Sequence, residues 1–536
     1  MKIAIVGATG NAGTALLHAL KDEPQIKEIT GIARRYPHRM ADPYSAAAWQ
    51  RIDVAAPALE AADDDDVIDL LSSAFAGLDA VVHLAWLIQP NRSRRLLRRA
   101  NVDGTRRVVE ACLRAGVPHL VVASSVGAYS PVADDQPRDE QWQTGGITTS
   151  HYAVDKAAQE RVLTAGEEQG LKIARLRPAL IFDGEAGAEV TRLFFGALIP
   201  AWLLKPGRLP IVPLPRGVRF QVAHGADVAD AYRRVILQGA TGAFNVAADE
   251  VLTAADVANV LDRGNSVPLP PKALRSVMNL AWHARMLAAD PGWLDMAMSV
   301  PVMDTSRAQQ ELGWKPKHRA AQTLEEMLTA VAHGAGASSG PLRPREEWPV
   351  DQVPQGSARP GGAVGAATDS KAHRIDVDVD RWAVHRYLAD HLTGATAGAA
   401  RAERAALRQR RTPAAPTLEK IAKQIRQEEK YLRLLIDTLE VRPLRYRQAA
   451  AWLGEKFGNL SATTRPQSTS LDPALDVELL RSAIIGKLGG WQTLIRLAPQ
   501  LGLPAQTFER FSQRAQEQIR QLDELHDSAI ARALRS

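Results

Sequence analysis

Lys2-Ile3-Ala4-Ile5-Val6-Gly7-Ala8-Thr9-Gly10-Asn11-Ala12-Gly13 opens the chain, and the reading of this stretch decides the fold. Ile3–Val6 is a short apolar run with the length of a buried strand. Gly7, Gly10 and Gly13 follow at three-residue spacing and lead into a helical pattern from Gly13 to Leu20. Glycines at a strand–turn–helix junction let the chain turn tightly and bring backbone amides against a pyrophosphate, which then also faces the helix N-terminus. A glycine trio alone says little. Its place here, between a first strand and a first helix, is what that use requires. Gly7, Thr9, Gly10, Asn11 and Gly13 are therefore the expected contacts of a dinucleotide.

Working outward, Ile29–Ala33, Ala80–Leu84, Leu120–Ala123 and Ala174–Arg177 repeat the buried-strand pattern. Helical stretches such as Ala100–Ala115 and Tyr152–Gln169 alternate with them. That alternation predicts an α/β fold, a Rossmann-type doubly wound parallel sheet, over residues 1–177. From 178 to 333 the pattern loosens, Pro and Gly become frequent, and a small substrate-binding lobe is expected. Residues 334–372 are rich in Gly, Ala, Ser, Pro and Arg and read as a disordered linker. Residues 373–536 read as an all-α four-helix bundle. In the second helix Leu418, Ile421, Ala422, Ile425, Leu432, Leu435, Ile436 and Leu439 recur at three- and four-residue steps.

At 536 residues, with 46% hydrophobic and 24% charged residues, the chain has the balance of a soluble globular protein of two or three domains. Cys112 is the only cysteine, which excludes an internal disulfide and suits a reducing cytoplasm. The N-terminus carries no secretory pattern, and no segment has the length of apolar sequence that a membrane span needs. The net charge of +6 is uneven. Residues 370–536 hold 27 Lys and Arg against 19 Asp and Glu, whereas residues 1–369 hold 39 against 41. Because both signs are mixed, solvated helix faces explain the excess better than an acidic partner. A nucleic-acid partner is not expected, since no basic stripe is interleaved with aromatics.

At the end of the second strand, where an acidic residue would bind the ribose hydroxyls of NAD, stands Ala33-Arg34-Arg35. Arg34 suits a 2′-phosphate, so NADP is the preferred cofactor and NAD the alternative; a solvated basic turn would look the same. Asp53, with Val54 behind it at the end of the third strand, can accept a hydrogen bond from an adenine amino group. His83-Leu84-Ala85 ends the fourth strand, so the backbone of Leu84 and Ala85 should pass beside the cofactor.

The chain has eight tyrosines, and only Tyr152 has a lysine four residues on, Lys156. That spacing stacks the two side chains on one helix face. A neighbouring ammonium favours phenolate and lowers the tyrosine pKa, which makes Tyr152 a usable acid/base. Ser124-Ser125 closes the preceding strand at the edge where such sheets bind ligands. Ser125 can hydrogen-bond a substrate carbonyl or hydroxyl while Tyr152 moves the proton and nicotinamide the hydride.

With these residues in place, residues 1 to about 333 resemble an extended short-chain dehydrogenase/reductase of the NAD-dependent epimerase/dehydratase family. The resemblance is carried by Gly7-x-x-Gly10-x-x-Gly13, His83-Leu84-Ala85, Asn101-Val102-x-Gly104-Thr105, Ser124-Ser125 ahead of Tyr129, Tyr152-x-x-x-Lys156 and Arg177-Pro178. Further on, His224-x-x-Asp227-Val228-Ala229, Asp304-Thr305-Ser306-Arg307 and Leu312-Gly313-Trp314-Lys315-Pro316 resemble the family's C-terminal lobe. The resemblance implies a catalytic base in Tyr152, its lysine partner in Lys156, a substrate-orienting hydroxyl in Ser125 and a supporting amide in Asn101. Tyr152 and Lys156 are also expected to touch the cofactor.

Departures from the family pattern narrow the chemistry. Sugar-nucleotide 4,6-dehydratases carry an Asp-Glu pair just after the catalytic hydroxyl residue; here Val126 and Gly127 stand there, which disfavours dehydration. Arg34, pointing to exchangeable NADP(H), favours reversible hydride transfer on an alcohol or ketone over a sugar-nucleotide epimerase, the alternative. Trp282, Met286, Leu287, Trp293, Met296 and Met298 either line an apolar substrate pocket or form the small lobe's core.

The helices after 374 resemble, at the level of shape, a degenerate ferritin-like bundle. Glu428 and Glu429 fall on the apolar stripe, with His391 and His526 on comparable lines. The paired Glu-x-x-His motifs of di-metal bundles are missing, so no metal is assigned and buried polar partners are expected instead. A protein partner or self-association through 373–536 is the expected use. A nucleotide-sensing scaffold is the rival reading, against which the Ser125, Tyr152 and Lys156 set argues.

Overall fold

The structure is a computed structural model that describes residues 1–89, 91–195, 212–262, 266–344, 381–439 and 471–533. The chain divides into two compact units. One takes residues 1–55 and 71–376, the other residues 56–70 and 377–536.

The first unit is built on seven parallel strands. In chain order they are β1 (Lys2–Val6), β2 (Glu28–Ala33), β3 (Ala48–Arg51), β4 (Ala80–His83), β5 (His119–Ala123), β6 (Lys172–Pro178) and a seventh strand, Gly242–Val246. Across the sheet the order is the seventh strand, β6, β5, β4, β1, β2, β3. The chain therefore winds from β1 one way through β2 and β3, then crosses back to β4. That reversal leaves a crevice outside the carboxyl ends of β1 and β4, where open α/β sheets bind ligands. Leu84 N–H donates to Val6 O and Gly7 N–H to Ile32 O, each at 2.8 Å, so the ends of β4, β1 and β2 are held side by side. The central strands are buried on both faces, as a parallel sheet covered by helices requires.

Several boundaries differ from the sequence reading. β3 ends at Arg51 rather than beside Asp53, because it is an edge strand with only β2 to pair with. The helix expected from Ala100 begins earlier, as an α-helical turn over Arg94–Arg98, widens into a π turn over Arg99–Asp103 and returns to α-helix from Gly104. A division at residue 177 would cut the core. The helix Gly225–Gln238 and the seventh strand bring Tyr232, Val235, Ile236, Phe244 and Val246 into the cluster that holds Ile3, Ile5, Leu16 and Leu17. Trp314, fully buried, donates its indole N–H to Asp227 O at 2.9 Å within the same unit.

The expected linker also starts later than residue 334. Leu342 is fully buried with Met327 and Val331, and the Ser339 hydroxyl, buried too, donates to Thr9 O at 2.8 Å. These contacts, with His38 N–H donating to Ser338 O at 2.9 Å and Arg192 to Pro341 O at 2.6 Å, hold a Gly- and Ser-rich segment whose composition alone reads as unstructured. Residues 345–372 of that linker lie outside the described residues.

In the second unit the described residues contain four long helices, Arg381–Arg408, Ala415–Thr438, Asp472–Leu501 and Ala505–Ala533. Each buries the stripe its sequence period marks out: Leu418, Ile421, Ile425 and Leu432 on the second, Val477, Leu480, Ile484, Trp491 and Leu494 on the third. None of the described helices is long and apolar enough to cross a membrane.

The glycine turn gives a direct test of the fold. A Cβ on Gly13 would lie 2.5 Å from Gly7 O and 2.7 Å from the Ala8 backbone, which cannot move aside; one on Gly10 would meet only Gly7 O, at 3.6 Å. Gly13→Ala is expected to lower the melting temperature of the first unit by about 2–10 °C. Gly10→Ala should leave it within about 1 °C. Thermal unfolding of both variants measures the difference, and equal shifts would contradict the close approach of the strand to the helix.

Candidate active site

The site grows from the edge of the sheet. After β5, Ser124 and Ser125 turn the chain into a single helical turn, Val126–Ala128, whose Gly127 N–H donates to Ser125 Oγ at 3.1 Å. The helix His151–Glu168 starts on Ser150, whose side chain accepts from Ala153 N–H, a common N-terminal cap. That start places Tyr152 in the first turn and Lys156 one turn further on. The Ser125 hydroxyl lies close enough to the Tyr152 phenol to pull its pKa down. The two residues named from distant stretches of sequence therefore meet.

Around them the surface is aromatic. Trp86, just beyond β4, stands edge-on to Tyr152 at 5.8 Å between ring centres. Trp293 lies at 5.0 Å from Tyr152 and itself takes the edge of Phe194 at 5.0 Å. A Cβ on Gly127 would be 3.0 Å from both Tyr152 and Met296 Sδ; the space in which dehydratases carry an acidic pair is filled here by apolar atoms. Trp293 and Met296 thus line the site, and Met296 is also core, packed with Val126, Tyr129 and Ala153. Trp282 instead packs under the Arg92 guanidinium, 4.1 Å from its ring centre, and Met286 is exposed.

Lys156 departs from the expectation. Its ammonium donates to Ala123 O at 2.7 Å and to Gln159 Oε1 at 3.1 Å, and lies 3.6 Å from the centre of the Trp86 ring but 6.0 Å from that of Tyr152. Burial pulls Lys156 down to about 7 against the opposing charge of Glu160. Enclosure raises the Tyr152 phenol above its ordinary range, and the Ser125 hydrogen bond pulls the other way. The lowering of Tyr152 expected from a neighbouring ammonium is therefore not what this arrangement produces: Ser125, not Lys156, is the group that favours phenolate here.

The lysine is held by a chain of hydrogen bonds. Gln159 Nε2 donates to Thr105 Oγ1 at 3.2 Å, and that hydroxyl donates to Asn101 O at 2.7 Å. His83 Nε2 meets the same oxygen at 3.0 Å; burial first, and Lys156 second, depress His83 to about 3, so its ring is neutral. Asn101 spends its amide on the backbone of Leu87, accepting from Leu87 N–H at 2.7 Å and donating to Leu87 O at 2.9 Å. It fixes the loop beyond Leu84 and Ala85 instead of reaching Tyr152.

The expected dinucleotide residues converge on the crevice. Gly7 has φ +92°, and a Cβ there would strike Ala85 N at 2.6 Å, so only glycine lets the first loop touch the end of β4. Gly10 keeps open space on the outer side of the turn, as a group approaching the backbone requires, and Thr9 and Asn11 flank it. Arg34 directly follows β2 beside this turn. Asp53, 1% exposed, accepts from Ala55 N–H at 2.9 Å, and Val54 packs against Gly104. These residues fit a dinucleotide.

Sequence reasoning missed what lies beneath. Glu160, two helical turns past Tyr152, accepts from the Ser124 hydroxyl at 2.6 Å, from Arg175 at 2.9 Å and from Arg177 at 2.8 and 3.0 Å. Arg177 also donates to Tyr129 Oη, whose own proton goes to Asn245 Oδ1 at 2.7 Å. A signal was available: a carboxylate on the face that carries Tyr152 and Lys156, and two arginines alternating on a buried strand.

With this geometry in place, comparison with known proteins is informative. Residues 3–247 match the family described as NAD dependent epimerase/dehydratase. Over those residues the chain is similar to that family. An uncharacterized protein of Mycobacterium tuberculosis is 28% identical over 334 residues, a match covering 62% of this chain and 30% of that protein. The chain therefore spans about a third of the length of that relative. The UDP-glucose 4-epimerase of Azospirillum brasilense is 25% identical over 376 residues, covering 63% of this chain and 96% of the relative. Among solved structures, UDP-N-acetylglucosamine 4-epimerase from Bacillus cereus superimposes with a TM-score of 0.44 at 18% identity, over 62% of this chain and 99% of that one.

The buried carboxylate of Glu160 sets a pH test. Burial alone would raise Glu160, but the hydrogen bonds and charge of Arg177, with Arg175 and Ser124, hold it at about 2. A carboxyl depressed in the folded state stabilises the protein fully above its unfolded pKa, near 4.3, and loses that contribution as the pH falls towards 2. Glu160→Gln should cost about 3–5 kcal/mol at pH 7 by leaving two buried guanidiniums short of a counter-charge. It should also flatten the fall in stability between pH 4.5 and 2, read by denaturant unfolding across that range.

Proposed function

We propose that the first unit is an NAD(P)-dependent oxidoreductase that transfers hydride reversibly between nicotinamide and an alcohol or ketone carbon. The observation that carries this reading is the approach of the Ser125 hydroxyl to the Tyr152 phenol, with Lys156 one turn further along the same helix. Nicotinamide, when bound, supplies or accepts the hydride. Ser125 presents its hydroxyl to the substrate oxygen, and Tyr152 gives or takes the proton at that same oxygen. Lys156, anchored on Ala123 O and Gln159, places its amine at the floor of the site. Gly7, Gly10 and Gly13 with the helix N-terminus receive the pyrophosphate, Asp53 the adenine, and Arg34 the 2′-phosphate of NADP(H).

The walls favour an apolar carbonyl compound over a nucleotide sugar. Trp86, Trp293 and Phe194 offer ring faces and edges, and the position that a dehydratase uses for acidic chemistry is Gly127 under Met296. The relative's activity as a UDP-glucose 4-epimerase supports the alternative, sugar-nucleotide epimerisation. For the second unit, self-association or a protein partner remains the reading, in a protein that acts in the cytoplasm.

Tyr152→Phe is expected to lower kcat by at least about 100-fold while dinucleotide affinity stays within about twofold. Undiminished turnover would remove Tyr152 from the mechanism. Calorimetric titration should show NADPH bound more tightly than NADH, and Arg34→Ala should weaken NADPH by about 10- to 100-fold with little change for NADH. Retention of NAD(H) through purification, insensitive to Arg34→Ala, would move the assignment to an epimerase.

A further inference from the structure

The helical unit contains a cavity of about 500 Å³ between its first, second and third long helices. Its wall is mainly apolar, with Leu388, Ile425, Leu432, Leu480 and Ile484 among the lining side chains. Four glycines also line it, Gly394 and Gly398 on the first helix and Gly486 and Gly490 on the third, one turn apart on each. A Cβ added to Gly394, Gly398 or Gly486 would meet no atom within 4 Å, whereas Gly490 is covered by the His391 ring, 2.9 Å from such a Cβ. Three glycines inside long helices cost helical stability and fill nothing. Their effect is to keep the cavity open.

One buried polar group in this wall lacks a partner. Glu428 is 1% exposed and Trp491 4% exposed. Glu428 Oε2 accepts from Lys487 Nζ at 2.6 Å and its Oε1 faces the Arg514 guanidinium at 4.0 Å, whereas Trp491 Nε1 makes no hydrogen bond. Native interiors pair nearly all such atoms, with protein, water or ligand. The indole N–H needs an acceptor, and the oxygen of a hydroxyl group supplies one.

Charge in the wall is already balanced. Glu428 is paired with Lys487, and Glu429 with Arg426 at 2.7 Å and with Arg433. Gln518 completes the Lys487 ammonium at 2.6 Å. A charged guest would have to shed its water without finding a free counter-charge. Among the described residues no cluster of His, Cys, Asp and Glu is placed to hold a metal ion; the carboxylates once considered as ligands are taken by these cations. The rings of Trp491 and His391, the latter packed on Tyr387 at 4.3 Å, suit a flat guest.

We infer that this cavity is a binding site for a neutral, largely apolar small molecule bearing one hydroxyl group, an aromatic alcohol or phenol in chemical class. The site is built wholly from the helical unit and stands apart from the reading of the dinucleotide crevice.

The test uses the full chain with 1-naphthol as probe, saturating NADPH present, and calorimetric titration as readout. Saturable binding at one site is expected, with naphthalene-1-carboxylate at least tenfold weaker because it carries charge. Gly398→Leu and Gly486→Leu place a side chain into the open space. Each should reduce 1-naphthol affinity at least tenfold while the melting temperature holds or rises and NADPH affinity is unchanged. Trp491→Phe, which removes only the N–H donor and trims the ring, should weaken 1-naphthol severalfold but leave naphthalene within about twofold. Absence of saturable 1-naphthol binding would overturn the proposal. So would binding indifferent to both glycine substitutions, or a carboxylate bound as tightly as the phenol.

Discussion

One buried ion cluster ties the first unit together at its working edge. Glu160 hangs from the helix that carries Tyr152 and Lys156, and it grips Ser124 at the end of β5 and Arg175 and Arg177 on β6. Arg177 passes the connection to Tyr129, and Tyr129 to Asn245 on the seventh strand. A helix, three strands and the turn bearing Ser125 are thereby fixed by one carboxylate. Such a cluster is costly to bury and tolerable only because nearly every donor and lone pair is used. Its benefit is geometric: Tyr152 and Ser125 sit on different elements, and Glu160 holds those elements in register.

A second layer of polar contacts performs the same service for the lysine. Lys156, Gln159, Thr105 and the Asn101 carbonyl form a chain that also reaches His83. The π turn over Arg99–Asp103 is what brings the Asn101 amide onto the Leu87 backbone. The loop beyond β4 is thus locked at the point where it borders the crevice. Asn101 thereby holds the position of that loop.

The two units treat buried charge and small residues differently. In the first, Gly7 and Gly13 are required because backbone atoms occupy the space a side chain would need. In the second, Gly394, Gly398 and Gly486 border space that nothing fills. Likewise Glu160 accepts hydrogen bonds on both of its oxygens, whereas Glu428 accepts from Lys487 on one and faces Arg514 at 4.0 Å with the other. The same residue types therefore close one site around its own side chains and leave the other open to a guest.

How much of this was legible depended on the range of the interaction. The glycine turn, the alternation of strand and helix, the Tyr152–Lys156 spacing and the apolar stripes of the four helices are periodic or local, and the residues themselves carry them. Arg34 and Asp53 could be named from their place at strand ends. The partners of Lys156 could not, because a four-residue spacing fixes a shared helix face but not where a long flexible side chain is drawn; Ala123 O comes from the end of β5 and Trp86 from the loop after β4. Nor could the ordering of Ser339 and Leu342, which rests on contacts with Thr9 and Met327 far away in sequence. The sequence by itself determined the class of fold, the glycine turn between first strand and first helix, and the candidate side chains for reaction. Only the tertiary structure decided which group tunes Tyr152, what holds the site in register and where the helical unit keeps a cavity, because burial and charge pairing arise only once distant segments share one interior.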